Sequence, residues 1–191
     1  AGEFCYDISQ GALDESQEKL PSGATTLRLV NPKKVAKMPA VKRLEGITTV
    51  IVDESCRACN SVCDSFLFNC HALTSVTLDG LSNCTSVGDC FLYGCKSITS
   101  VTLLGLSNCT SVGKYFLAYC SGLRKIFVGN GTAIAGKLPK LTNCEVVVQP
   151  KKKAEEEAAV AVNVVPSPPT TGTTAGEFCY DISQGALDES Q

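Results

Sequence analysis

The amino-acid sequence predicts a repeat solenoid in which short parallel β-strands are stacked, one from each coil. A unit that recurs every 25 residues is marked by Phe66, Phe91 and Phe116. Within it, the octapeptide LSNCTSVG occurs at residues 81–88 and again at 106–113. A β-rich unit of this length cannot bury its own apolar face, but stacked copies enclose a continuous interior.

Apolar residues and cysteines recur at fixed positions of this unit. The columns are Cys59–Cys84–Cys109, Cys70–Cys95–Cys120, Leu73–Ile98–Leu123, Val76–Val101–Ile126 and Leu78–Leu103–Val128. Alternation within a strand should turn Val76 and Leu78 inward and Ser75, Thr77 and Asp79 outward. The repeated octapeptide is therefore interpreted as the return segment of a repeated coil.

A recurring pentapeptide, exemplified by TTLRL, TTVIV and TSVTL, predicts about six strands joined by irregular or short helical returns. We expect the strands near residues 27–29, 50–52, 76–78, 101–103, 126–128 and 146–148. The earlier segment EFCYDIS alternates Phe4, Tyr6 and Ile8 on one face, which indicates a further strand. That strand is expected to cap the open end of the ladder.

A longer duplication predicts a tandem array. The sequence AGEFCYDISQGALDESQ occupies residues 1–17 and again residues 175–191, an offset of 174. We divide the chain into an N-terminal cap (1–20), a solenoid (21–150), a charged, β-prone and Pro/Thr-rich linker (151–174) and the start of the next unit (175–191). The second copy, Phe178–Ser183, is expected to help bury the end of the solenoid.

Composition excludes some partners and favours an extracellular protein. The net charge of −2 gives no general attraction to nucleic acid, and no apolar run approaches the ~20 residues that span a bilayer. Twelve cysteines suggest an oxidising setting. Candidate N-glycosylation sites are Asn83, Asn108 and Asn130, and candidate O-glycosylation sites in the linker are Ser167, Thr170, Thr171, Thr173 and Thr174.

The cysteines allow three interpretations. Those in the columns are expected to be small buried hydrophobes. The disulfide candidates are the remaining ones: Cys5, Cys56, Cys63, Cys90, Cys144 and Cys179. The sequence CRACNSVC at 56–63 contains a C-x-x-C, but no second C-x-x-C lies at the spacing of a zinc finger or ribbon, so no metal site is predicted.

No enzymatic site is predicted. The only histidine, His71, is replaced by Lys96 and Ser121 in the following units and should face solvent. The sequence contains no glycine-rich phosphate loop after a strand and no recurring carboxylate pair, so we expect no cofactor.

The stretch Phe66–Val128 resembles the BspA-like, or Treponema-type, leucine-rich repeats, in which an aromatic residue, Cys, Leu, Ile/Val and Leu precede a turn ending in Val/Ile-Gly. The matching residues of one unit are Phe91, Cys95, Ile98, Val101, Leu103, Val112 and Gly113. The turn GLSNC departs from that family. The resemblance implies a leucine-rich-repeat type of solenoid used on microbial surfaces for adhesion or recognition, without enzymatic activity.

Two functions therefore remain open. We expect a structural unit of an extracellular filament that assembles head to tail with its own copies, or a recognition module of a surface adhesin that binds protein or glycan. The two functions are compatible, since an array of solenoids can perform both. The candidate binding face is the outward row of Arg28, Ile51, Thr77, Thr102 and Phe127, followed by Val147. The alternative for this row is a solvated or self-packed sheet face. An intracellular scaffold with reduced thiols is a more distant alternative.

Overall fold

The computed structural model describes residues 2–14, 20–138 and 144–150, and it confirms the predicted repeat solenoid. The described residues form a parallel β-solenoid of about six turns. They belong to the first of two units of the chain, Ala1–Lys152, and the second unit is Lys153–Gln191.

Fourteen short strands are recorded in the described residues. In chain order they are β1 (Gly2–Asp7), β2 (Leu13–Asp14), β3 (Ala24–Val30), β4 (Lys37–Met38), β5 (Val41–Lys42), β6 (Thr49–Val52), β7 (Ser61–Val62), β8 (Phe66–Phe68), β9 (Ser75–Thr77), β10 (Ser86–Val87), β11 (Ser100–Thr102), β12 (Ser111–Val112), β13 (Lys125–Gly129) and β14 (Glu145–Gln149). Short 3-10 helices lie at Ile8–Gln10, Glu54–Ala58, Asp79–Leu81 and Leu104–Leu106.

These strands stack into three parallel ladders. The front ladder consists of two sheets, β1-β3-β6-β9 and β11-β13-β14. The second ladder is β4-β7-β10-β12, and the third is β2-β5-β8. The front ladder contains all six predicted solenoid strands and, as β1, the strand predicted from EFCYDIS. The expectation of one strand per coil was incomplete, because the returns carry the second and third ladders.

The strand registers follow the 25-residue repeat. Ser86 lies opposite Ser61 on one side and Ser111 on the other. Val76 and Leu78 are buried while Ser75, Thr77 and Asp79 are exposed, as predicted. Equivalent side chains of successive coils therefore lie over one another and form a single core.

The phenylalanine column forms the centre of this core. The ring centroids of Phe66 and Phe91 are 5.4 Å apart, and those of Phe91 and Phe116 are 5.2 Å apart, with interplanar angles of 23° and 12°. Each ring thus packs face to face on the ring of the next coil, and Phe66 and Phe91 are completely buried.

Polar side chains of the octapeptide form hydrogen bonds with backbone carbonyl oxygens of the preceding coil. Asn108 donates from Nδ2 to the carbonyl oxygen of Ser82 at 2.7 Å, and the Thr110 hydroxyl donates to the carbonyl oxygen of Thr85 at 3.2 Å. In the first copy, Asn83 and Thr85 make the same bonds to Arg57 and Asn60. Leu106 and Cys109 are buried. The duplication therefore has a structural cause, since each copy joins one coil to its predecessor.

Glycines are required where the backbones of successive coils touch. A Cβ added to Gly105 would lie 2.3 Å from the carbonyl oxygen of Leu78. At Gly113, the last residue of the octapeptide, it would lie 2.4 Å from the carbonyl carbon of Gly88. Because the obstructing atoms are backbone, no side chain can rotate away to make room.

We expect Gly105→Ala to destabilise the solenoid by about 1–3 kcal/mol or more, the range found for overpacking of well-packed interiors. Urea unfolding followed by circular dichroism measures the change. Gly136→Ala is the matched control, since its new methyl would meet only the carbonyl oxygen of Ala133 at 3.7 Å, an ordinary contact. Equal stability of the two variants would contradict the close approach at Gly105.

Candidate interaction surfaces

The predicted binding row is continuous within each sheet of the front ladder. Backbone pairing places Arg28 opposite Ile51 and Ile51 opposite Thr77 in one sheet, and Thr102 opposite Phe127 in the other. Cys5 lies opposite Arg28, and Val147 lies opposite Phe127, which extends the row at both ends. The side chains of this row are half-buried or exposed, so the row lies on the outer face.

The charged groups of the row are already paired. Arg28 forms ion pairs with Glu3 and Asp53, and the hydrogen bond to Glu3 raises the pKa of its guanidinium. The backbone N–H of Ser55 lowers the pKa of Asp53, so this carboxylate also caps a 3-10 helix. Because these charges are paired, the row offers apolar and hydroxyl groups to a ligand more than charge.

An exposed tyrosine cluster, consisting of Tyr93, Tyr115 and Tyr119, was not predicted from the sequence. Tyr115 and Tyr119 are 61% and 68% exposed. The ring centroid of Tyr93 lies 4.9 Å from that of Tyr119, and Tyr93 also stacks on Phe68 at 5.0 Å. Exposed aromatic surface of this kind is enriched at binding sites.

The tyrosine cluster escaped prediction because its members do not share a repeat position. Tyr115 follows Ser65 and Cys90 in its column, and Tyr119 follows Asn69 and Gly94. Both tyrosines have φ of 59°, a backbone conformation that is uncommon for a non-glycine residue. The only available signal was the local density of aromatic residues at 115–119.

The last strand, β14, leaves an apolar end exposed. Val146 and Val148 occupy inward positions, opposite Ile126 and Val128, yet they are 46% and 55% exposed. Within residues 2–14, 20–138 and 144–150, no strand pairs with the outer edge of β14. We call this surface the open end.

Ten cysteines in the described part of the chain are free thiols, and the Cys70 thiol donates to the carbonyl oxygen of Phe68. The column cysteines are buried, as predicted from the repeat. Of the disulfide candidates, Cys56 is buried, Cys63, Cys90 and Cys144 are half-buried, and Cys5 is exposed. Cys179 lies outside the described residues. Cys90 lies outside the cysteine columns, because the residues at its repeat position in the adjacent coils are Ser65 and Tyr115.

Burial makes Cys56 and several of the column thiols weaker acids. Desolvation raises the pKa of Cys56 to about 12 and that of Cys84 and Cys120 to about 11, and it raises the pKa of Cys95 still further. Since the thiolate is the nucleophile and the metal ligand, these cysteines are unsuited to either role in the folded state.

The three sequon asparagines are all exposed. The amides of Asn83 and Asn108 are engaged with the preceding coil, as described above. Asn130 follows β13, and the hydroxyl of its sequon threonine, Thr132, is buried and donates to the carbonyl oxygen of Gly129 at 2.9 Å. The linker candidates Ser167, Thr170, Thr171, Thr173 and Thr174 lie outside the described residues.

The described residues hold neither a metal-binding cluster nor a membrane-spanning helix. They contain no group of three or more histidine, cysteine, aspartate or glutamate side chains that could hold a metal ion. They also contain no helix long and apolar enough to cross a bilayer. His71 is exposed, and its Nδ1 lies 2.9 Å from the carbonyl oxygen of Gly94.

The fold places this chain among the parallel β-solenoid proteins. Comparison with protein-family models, with curated proteins and with solved structures found no match to it.

Proposed function

We propose that this chain is the structural repeat unit of an extracellular tandem-array or filamentous surface protein that assembles head to tail. The observation that carries the proposal is the open end, where two inward-facing valines of β14 are about half exposed. A solenoid stabilises each coil through its neighbours, so an uncovered apolar coil favours further stacking. The identity of residues 1–17 and 175–191 supports repetition of the whole unit.

The extracellular setting is supported by the sequons and by the Pro/Thr-rich linker. The column cysteines do not support an extracellular setting, because their recurrence is explained by packing within the coils. The half-buried and exposed cysteines remain available for disulfides between units.

The intact mass of native material tests this proposal. We expect masses that step by one 174-residue unit, with extra mass that glycosidases remove. Electron microscopy of the same material should show filaments. A single unglycosylated chain that stays monomeric at all concentrations would refute both the array and its extracellular setting.

The tyrosine cluster favours a second function, a ligand-recognition or adhesion module of a BspA-like surface adhesin. Exposed, stacked aromatic rings suit the apolar faces of sugars or of peptide side chains. The two functions are distinguished by the isolated chain, since a monodisperse monomer that binds a defined glycan or protein through Tyr115 and Tyr119 would favour recognition.

A further inference from the structure

The open end has the geometry of an interrupted ladder. Ile126 and Val128, one coil earlier, are 1% and 0% exposed, whereas their partners Val146 and Val148 are about half exposed. The difference arises because a further coil covers Ile126 and Val128 but none in the described residues covers the two valines. One more parallel strand with inward apolar residues would complete the burial.

Strand β1 has inward apolar side chains of the kind that would cover the open end. Phe4 and Tyr6 are its inward residues and lie opposite Leu27 and Leu29 of β3. Phe4 remains half-buried, and within the described residues no strand pairs with the outer edge of β1. Each end of the front ladder therefore has one free edge within the described residues. The incompletely covered apolar side chains are Phe4 at the β1 end and Val146 and Val148 at the β14 end, whereas Tyr6 is already buried.

We propose that β14 of one copy accepts β1 of a second copy as its next parallel strand. This inference rests on the proposed head-to-tail function and names the surfaces that perform it. The second copy is preferred to an unrelated partner because residues 176–181 repeat the sequence of β1, so the chain itself recurs to this sequence after the solenoid.

The register follows from the columns of the front ladder. Phe4 belongs to the column of Leu27, Val50 and Val76, and the 25-residue repeat continues that column to Val101 and Ile126. Ile126 in turn pairs with Val146 after a shorter step along the chain. The incoming Phe4 therefore packs on Val146, and Tyr6, which its own copy already buries, lies opposite Val148. On the outer face, Cys5 comes to lie beside Val147. Glu3 approaches Glu145, whose carboxylate is already paired with Lys125 at 3.0 Å.

A disulfide trap tests this register. In the full chain with Cys144→Ser, the change Val147→Cys places a thiol next to Cys5 of the following copy, within the ~4.4–6.8 Å Cα separation that a disulfide spans. Oxidation by dissolved oxygen with copper phenanthroline should produce covalent multimers on a non-reducing gel. Peptide mapping should find position 147 joined to Cys5, and Cys5→Ser should remove the multimers.

Each other result has a definite meaning. A bond from position 147 to Cys179 within one chain would overturn the proposal of a second copy and make the chain's own end the occupant. If multimers form by light scattering but position 147 does not react, strand addition is wrong although the proposed function survives. A chain that neither reacts nor associates contradicts both.

A matched pair of lysine variants supplies a second measurement. Val146→Lys buries a charge beneath the incoming Phe4 and should weaken association at least about tenfold by analytical ultracentrifugation, because an unpaired charge is costly to bury. Val147→Lys points outward on the same strand and should associate like the original chain. Equal effects of the two changes would overturn the proposed inward and outward assignment.

Discussion

The protein is expected to lose stability steeply above about pH 9 because its buried thiols resist ionisation. The ordinary thiol pKa of 9.0 applies to the unfolded chain, whereas in the folded state it rises to about 11 for Cys84 and Cys120 and to about 12 for Cys56. A thiol whose pKa rises on folding stabilises the fold fully below pH 9, and this stabilisation is lost as the pH rises toward the folded pKa. Between those values the unfolded state releases the proton and the folded state keeps it.

Within that window each such thiol should lower the free energy of unfolding by about 1.4 kcal/mol per pH unit. Urea unfolding under reducing conditions at pH 8, 9, 10 and 11 would measure the slope.

Tyrosines and lysines also titrate in this pH range, so the decisive quantity is the difference in slope between variants. Cys84→Ala should reduce the slope by about 1.4 kcal/mol per pH unit. Val87→Ala, a buried position three residues further along the same coil, should lower stability without changing the slope. Parallel pH profiles for the two variants would contradict the mechanism.

Replacing Phe91 by alanine is expected to cost about 3–5 kcal/mol of stability. The ring is completely buried and stacks on both Phe66 and Phe116, so its loss opens a cavity in the middle of the column. The effect should extend to the neighbouring coils because their rings lose a stacking partner. Urea unfolding gives the magnitude, and hydrogen exchange shows whether the adjacent coils lose protection.

Phe127→Ala is the control for this prediction. Its ring is half-buried on the outer face, with the Lys125 ammonium 5.8 Å from the ring centroid. Its removal should cost less than half as much as the loss of Phe91. If the two variants are equally destabilised, the central column is not the main support of the solenoid.

In the two proposals, the same parallel stacking of coils that stabilises one copy also joins successive copies. The parallel backbone pairing that joins β13 to β14 is the same in kind as the pairing proposed between β14 of one copy and β1 of the next. Assembly by strand addition therefore needs no specialised interface, only an end with the same columns as the interior.

Much of the fold was predictable because stacking repeats the same environment in every coil. The period, the parallel front ladder and the inward cysteines follow from the spacing of Phe66, Phe91 and Phe116 and of the residues around them. The strand β1 was predictable from alternation alone. The open end could not be predicted, because the alternation of residues in β14 resembles that of the other strands. That alternation does not indicate whether a further strand covers β14.

The sequence by itself determined the repeat and the identity of the core, since a residue that recurs in every coil must occupy the same place in each. Only the tertiary structure decided the path of the returns. Leu67, Leu92 and Leu117 have φ of 56°, 53° and 54°, which leucine does not favour, and the second and third ladders depend on short returns of this kind. Such a conformation costs of order 1 kcal/mol per residue and persists because each side chain is completely buried in the column. Local preference alone cannot predict a backbone that is held in place by its neighbours.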